Sequence, residues 1–221
     1  EYDEVNRLRK ATDPAPFSSQ TVETTYGDSA NRRTDKDRRG TLSISQMDPL
    51  GRVLSVTRNG VTLETNAYDG NGNKRSIKDA EGRETRFDYD HANRLITRTP
   101  GFGTPASATI TFQYDANGNM TEKNVGGTIT RYFYNFEDQL EKVEDGSGSV
   151  IATYYYDPFG LRLWKEVGGA RTYFNYNDEG VIGESDVTGS EIKAYGWKPG
   201  TTWSIDPLFM RVKSEYYWYH N

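Results

Sequence analysis

Phe87-Asp88-Tyr89-Asp90-His91-Ala92-Asn93-Arg94-Leu95 decides the fold, because close copies of it recur along almost the whole chain. Aligned on the tyrosine before the turn, copies begin at Tyr2 (YDEVNRL), Tyr26 (YGDSANR), Met47 (MDPLGRV), Tyr68 (YDGNGNK), Tyr89, Tyr114 (YDANGNM), Tyr134 (YNFEDQL), Tyr156 (YDPFGLR), Tyr176 (YNDEGVI), Tyr195 and Tyr219. The spacings are 24, 21, 21, 21, 25, 20, 22, 20, 19 and 24 residues. A period this short and persistent means a repeat architecture, in which each unit buries its apolar face only by stacking on its neighbours.

Within a unit the pattern is strand, turn, strand, turn. Val53–Arg58, Asn59-Gly60 and Val61–Thr65 form the clearest hairpin, with Asn-Gly supplying the positive φ angles of a type I′ turn. The same layout predicts strands over Lys74–Lys78 and Arg83–Tyr89, then Met120–Asn124 and Thr128–Tyr134 about Gly126-Gly127, and Leu163–Val167 and Ala170–Tyr176 about Gly168-Gly169. Two strands of roughly six residues and two turns account for a period of about 21.

A second aromatic stands two residues before the tyrosine: Phe87/Tyr89, Phe112/Tyr114, Tyr132/Tyr134, Tyr154/Tyr156 and Phe174/Tyr176, with Tyr217/Tyr219 at the end. Positions i and i+2 of a strand share a face, so each returning strand carries two rings on one side. If hairpins pair edge to edge, those rings form aromatic rows, with cross-strand pairs adding up to about 1 kcal/mol each. The expected fold class is all-β: tandem hairpin repeats whose twist curves a one-faced sheet into a spiral, part of a hollow shell.

Composition agrees with a thin, ring-built interior. Of 221 residues only 34% are hydrophobic, while there are 16 tyrosines. The formal net charge of −5 is spread over interspersed signs, which gives no basic footprint for nucleic acid and no polybasic membrane patch. Without cysteine there is neither a disulfide framework nor a thiolate metal site, and no apolar run reaches transmembrane length. The expected domains are degraded repeats over 1–46, a regular array over 47–195 and an irregular segment over 196–221.

In the first part, 11–20 reads as loop, and Asn31–Arg39 as a solvated turn or exposed edge strand rather than a binding patch. The longest spacing holds Pro100–Ala106, a grown hairpin turn whose Phe102 is either a recognition tip or an incidental exposed ring.

YDANGNMTEKN, YDGNGNKRSIKDAEGRETRFDYDHANRL and YYYDPFGLRLWKEVGGARTYF resemble the YD repeats of bacterial Rhs proteins, which are similar to repeats of Tc-toxin B/C components and of teneurins. The resemblance implies a β-strand spiral enclosing a C-terminal toxin or effector segment of the same polypeptide, in a secreted or surface-delivered protein. Its partners would be that segment and further repeats. The chain starts and stops in mid-repeat, and its tail Glu215–Asn221 resembles the entry to the family's associated core, so it is expected to be a piece of something longer. Met47 in place of tyrosine, and Asn or Gly after Tyr134, Tyr176, Tyr26 and Tyr195, depart from the pattern.

Chemistry finds little purchase. Asp157-Pro158-Phe159-Gly160-Leu161 resembles the family's self-cleavage site but is in phase as an ordinary turn, as is Asp48-Pro49-Leu50-Gly51. His91 and His220 are far apart, no glycine loop sits at a strand-to-helix junction, and turn residues such as Asp69/Asn71/Asn73 lack the glutamate of a calcium loop. No catalytic residue, cofactor or metal is expected; the site is the aromatic ladder Phe87, Tyr89, Phe112, Tyr114, Tyr132, Tyr134, Tyr154, Tyr156, Phe174 and Tyr176. Two rival readings stand beside the shell. One is a carbohydrate-binding or adhesive module using Trp164, Trp197, Trp203 and Trp218, with a glycan as partner; the other is a self-cleaving or polysaccharide-degrading enzyme.

Overall fold

The computed structural model describes residues 1–12, 21–178, 180–198 and 207–219. They divide into two compact units, residues 1–111 and 112–221. Among the described residues the structure is strand and turn, apart from one 3₁₀ turn at Asp28–Ala30.

The first unit holds β1 (Lys10–Thr12), β2 (Thr21–Gly27), β3 (Arg32–Lys36), β4 (Leu42–Met47), β5 (Val53–Arg58), β6 (Val61–Tyr68), β7 (Lys74–Asp79), β8 (Glu84–Tyr89) and β9 (Leu95–Thr99). The boundary falls within β10 (Ile110–Tyr114). The second unit holds β11 (Met120–Val125), β12 (Thr128–Tyr134), β13 (Leu140–Asp145), β14 (Val150–Tyr156), β15 (Arg162–Val167), β16 (Ala170–Asn177), β17 (Gly180–Ser185), β18 (Glu191–Trp197), β19 (Pro207–Val212) and β20 (Glu215–Trp218). Inside each unit every strand pairs antiparallel with the next in sequence, the pattern short turns impose.

The expected all-β hairpin repeat is therefore present, and its glycine turns take the expected conformation. Asn59-Gly60, Gly126-Gly127 and Gly168-Gly169 all have positive φ at both residues, as a type I′ turn requires. One expectation is corrected: the charged run at 31–39 forms β3, which pairs with β2 on one side and β4 on the other, so it is an interior strand and not an edge. Backbone pairing in a meander needs no apolar side chains, and the side chains of Arg32, Arg33 and Lys36 stay exposed.

The sheet is barely covered. Among the described residues the buried apolar side chains are those of Val143 and Ala152, which face each other across β13 and β14. Among those residues no large side chain is fully buried. Burial is instead partial and one-sided, which positions the site.

Candidate functional site

The ladder residues lie on one face of their strands. Phe87, Tyr89, Phe112, Tyr114, Tyr132, Tyr134, Tyr154, Tyr156, Phe174 and Tyr176 are all half-buried. The residues between the members of each pair, Asp88, Gln113, Phe133, Tyr155 and Asn175, are exposed. In the second unit the face also holds cations: the Arg162 guanidinium lies 4.9 Å from the Tyr154 ring, 5.5 Å from Tyr156 and 6.0 Å from Phe174, and Lys165 Nζ lies 5.2 Å from Phe174. Such contacts stabilise by about 0.5–2 kcal/mol depending on exposure.

What sequence reasoning missed is the work of the hydroxyl group. The phenol of Tyr68 donates to the Val53 carbonyl at 3.0 Å, Tyr89 to Lys74 at 3.1 Å, Tyr134 to Met120 at 3.1 Å, Tyr156 to Leu140 at 3.0 Å and Tyr176 to Arg162 at 2.9 Å. Tyr26 makes a longer version to Leu8 at 3.3 Å. The acceptors share a structural place. Val53, Lys74, Leu140 and Arg162 are the register partners of Met47, Tyr68, Tyr134 and Tyr156, each the in-phase residue one repeat earlier. Each ring thus reaches back over one hairpin and clasps the preceding turn. A β-bulge just before the in-phase residue, at Ala67/Tyr68, Asp88/Tyr89, Phe133/Tyr134, Tyr155/Tyr156 and Asn175/Tyr176, re-aims the strand there. Burial raises the pKa of the Tyr89, Tyr134 and Tyr176 phenols, so they stay protonated donors.

The residue after the tyrosine closes the turn. Asp90 Oδ1 accepts from the amides of Ala92 and Arg94 at 2.9 Å each, and its Oδ2 accepts from Arg94 Nε at 2.7 Å. Asp69 does the same with Asn71 and Asn73 and Asp48 with Leu50 and Arg52, while Asn135 Oδ1 accepts from the amides of Glu137 and Gln139 and its Nδ2 donates to Gln139 Oε1 at 2.8 Å. Backbone hydrogen bonding from Arg94 leads the effects that hold Asp90 below the usual carboxylate range. The turn carboxylates are thus spent on their own backbone. Neighbouring turns are also stitched together, Asn71 and Asn73 donating to Asn93 Oδ1 at 3.1 and 2.7 Å, and Asn117 and Asn119 to Asp138 Oδ1 at 2.8 and 2.7 Å.

Residues 68–105, which span one clasp and its two turns, match the RHS Repeat family. These residues are an RHS repeat. Over 134 residues it is 30% identical to the tRNA3(Ser)-specific nuclease WapA of Bacillus spizizenii and to the tRNA nuclease WapA of Bacillus subtilis strain 168. Each match covers 60% of this chain but 5% of the relative, so the chain corresponds to a small part of those proteins. Among solved structures it is similar to TcdB2-TccC3-Cdc42, with TM-score 0.65 and 16% identity over 89% of this chain and 12% of that one. It is also similar to TcdB2-TccC3-TEV, with TM-score 0.62 and 16% identity over 97% of this chain and 14% of that one. These likenesses establish the fold.

The repeats depart from regularity in instructive places. In the last regular unit the clasp is made by Trp197, whose indole Nε1 donates to the Val181 carbonyl at 2.8 Å behind a bulge at Gly196/Trp197. The in-phase residue is therefore Trp197, 21 positions after Tyr176, and not Tyr195. Tyr195 instead donates to Glu184 Oε1 at 2.5 Å. Glu184 is 6% exposed, with Lys193 Nζ at 3.5 Å and Lys165 Nζ at 3.6 Å. Burial acts to raise its pKa, but the Tyr195 hydroxyl and the two ammonium groups hold it below the usual carboxylate range. This buried carboxylate was not legible as such in the sequence.

The other sequence candidates fall out as follows. Asp157–Leu161 is an ordinary turn of the repeat: Asp157 Oδ1 accepts from the amides of Phe159 and Leu161, and Gly160 has φ 84°. Phe102 is folded back, its ring 3.5 Å from the Arg86 guanidinium and its amide donating to the Glu84 carbonyl at 2.8 Å. Trp164 is sandwiched between Arg171, 4.1 Å away, and Tyr155. Trp203 and His220 lie outside the described residues, and His91 sits exposed in its turn. Among the described residues no three His, Asp or Glu side chains form a metal-binding group, and no helix is long and apolar enough to cross a membrane.

Proposed function

We propose that this chain is a wall segment of a secreted or surface-delivered bacterial RHS protein, with 47–195 as its regular array, whose tyrosine face encloses a toxin or effector segment C-terminal to it in the same polypeptide. Its own part is structural and not catalytic. The ladder Phe87, Tyr89, Phe112, Tyr114, Tyr132, Tyr134, Tyr154, Tyr156, Phe174 and Tyr176 forms the enclosing face. The observation that carries this reading is the asymmetry of the strands: ring residues half-buried with their hydroxyls clasped, intervening residues exposed. Repeats joined only to their neighbours can extend a wall indefinitely, which is what enclosure needs.

The test is limited proteolysis of the native full-length polypeptide. The segment beyond the array should resist protease in the intact protein and become sensitive when clasps are removed by Tyr134→Ala and Tyr156→Ala together. If that segment is cut equally fast in both, or if the native polypeptide has no segment beyond the array, the reading fails.

A further inference from the structure

The tyrosine face of the second unit carries more cations than it can neutralise. Register places Arg162 and Lys165 of β15 and Lys193 of β18 on the same side of the sheet as Tyr154, Tyr156 and Phe174. The carboxylates of β14 to β18 are Glu166, Glu184 and Glu191. Glu166 and Glu191 are held by Arg171 and Arg211. Glu184, the register partner of Phe174, is already shared, because Tyr195 donates to it while Lys193 and Lys165 stand 3.5 and 3.6 Å away. One carboxylate therefore serves two ammonium groups, and Arg162 has none. Its guanidinium lies among three rings, one N–H donates to the Tyr156 hydroxyl at 3.3 Å, and its buried Nε has no hydrogen-bond partner. Lys165 and Lys193 keep side-chain exposures of 32% and 34%, so both remain open to a group lying over the face.

In contact with water such a surplus is tolerable. Under an enclosed segment it is not, because a cation taken out of water without an opposite charge is strongly destabilised. We propose that the segment enclosed by this wall lays an acidic stretch, with at least one aspartate or glutamate, over Arg162 and Lys165. This rests on the enclosure reading above and names the chemistry by which the wall recognises its cargo. The terminal N–H groups of Arg162 suit a carboxylate, since charge-assisted guanidinium hydrogen bonds are among the stronger polar contacts a protein makes. Lys165 and Lys193 extend the positive field along the face toward β18. A carboxylate of the same polypeptide has the advantage over a free anion, because tethering raises its effective concentration. A basic or wholly apolar stretch at this place would leave the surplus unanswered.

The test uses the native full-length polypeptide. Zero-length carbodiimide cross-linking read by mass spectrometry should join Lys165 or Lys193 to an aspartate or glutamate of the segment beyond the array. Lys142 and Glu144, 2.8 Å apart on β13, report that the reagent has worked. In limited proteolysis that segment should be cut about tenfold faster when Arg162→Gln and Lys165→Gln are combined. Arg162→Lys with Lys165→Arg, which keeps both charges, should leave the rate near that of the wild type. Arg162→Glu should be rescued by exchanging the cross-linked carboxylate for lysine, a response that mere loss of packing in the wall does not give. A protected segment with no carboxylate joined to either lysine overturns the proposal and leaves enclosure standing. So does a neutral double variant that protects the segment as well as the wild type, or a charge exchange that restores nothing. A segment already cut freely in the wild type removes enclosure, and the proposal falls with it.

Discussion

Replacing Tyr134 by phenylalanine removes one oxygen atom and leaves the ring. The phenol donates to the Met120 carbonyl at 3.1 Å, from a half-buried position, across one hairpin. An intramolecular hydrogen bond of this kind contributes about 0.5–1.5 kcal/mol net. Tyr134→Phe should therefore destabilise by about 1 kcal/mol, which corresponds to roughly fivefold in a local opening constant. Because repeats communicate through nearest neighbours, the effect should be local and read best by native-state hydrogen exchange. Amides of β11, β12 and β13 should exchange roughly fivefold faster, and those of β5 and β6 unchanged. Tyr155→Phe is the control, since that ring is exposed and its hydroxyl has no hydrogen-bond partner among the described residues. If the two variants behave alike, or if Tyr134→Phe shifts exchange less than twofold, the clasp is decorative and the reasoning is wrong. Removing the hydroxyls of Tyr68, Tyr89, Tyr134, Tyr156 and Tyr176 together should cost about 5 kcal/mol if the effects add, comparable to the whole stability of many domains.

The same clasps give an alkaline signature. Burial raises the phenol pKa of Tyr89, Tyr134 and Tyr176, so their stabilisation is complete below the unfolded value of about 10 and is lost as pH rises through the raised folded values. Urea midpoints should fall above about pH 10, and fall less in the fivefold phenylalanine variant. Gly127 has φ 92° in its turn, so Gly127→Ala should cost about 1 kcal/mol in urea unfolding, whereas Gly70→Ala, with open space around it and no positive φ, should be neutral. Gly196 is covered by the ring of its register partner Phe209, which occupies the place a Cβ would need. Gly196→Ala should therefore displace that ring and cost about 1–3 kcal/mol, and an unchanged urea midpoint would show that the ring has somewhere else to go.

The sequence carried the repeat, the hairpins and the turn chemistry because each rests on local rules: Asn-Gly and Gly-Gly demand positive φ, and an aspartate before two amides caps its own turn. The sharing of a face by positions such as Phe87 and Tyr89 was equally legible, since strand geometry alone dictates it. The tyrosine hydroxyl's partner was not, because it is a backbone carbonyl 14–16 residues back, at the start of the preceding strand. Nothing in a pattern of apolar residues reports a carbonyl. Trp197 was overlooked for the opposite reason. Counting tyrosines hid an indole at the right spacing, although an indole N–H can donate where a phenol does. Glu184 reads in sequence as one more surface acid, and only the register that sets Lys193 opposite it and brings Lys165 within reach makes it a buried anchor.

The clasps also explain why this repeat tolerates an uneven period. In most units the distance from one in-phase residue to the carbonyl that the next one clasps is six residues, as from Tyr2 to Leu8, Met47 to Val53, Tyr68 to Lys74, Tyr134 to Leu140 and Tyr156 to Arg162, while from Tyr176 to Val181 it is five. That interval is the aspartate turn, with its carboxylate cap and its bulge. Most of the length a unit gains or loses therefore falls in the other half, in the mid-unit turn, as Gly126-Gly127 against Asp145–Gly148 illustrates. One half of the unit is held by side-chain hydrogen bonds to fixed atoms; the other is held by strand pairing alone, which is indifferent to the length of the loop it closes. With so little apolar surface buried, register cannot be policed by a core. In these repeats a phenol that donates to a carbonyl 14–16 residues back, and a turn carboxylate that accepts from the amides two and four residues on, do that work instead.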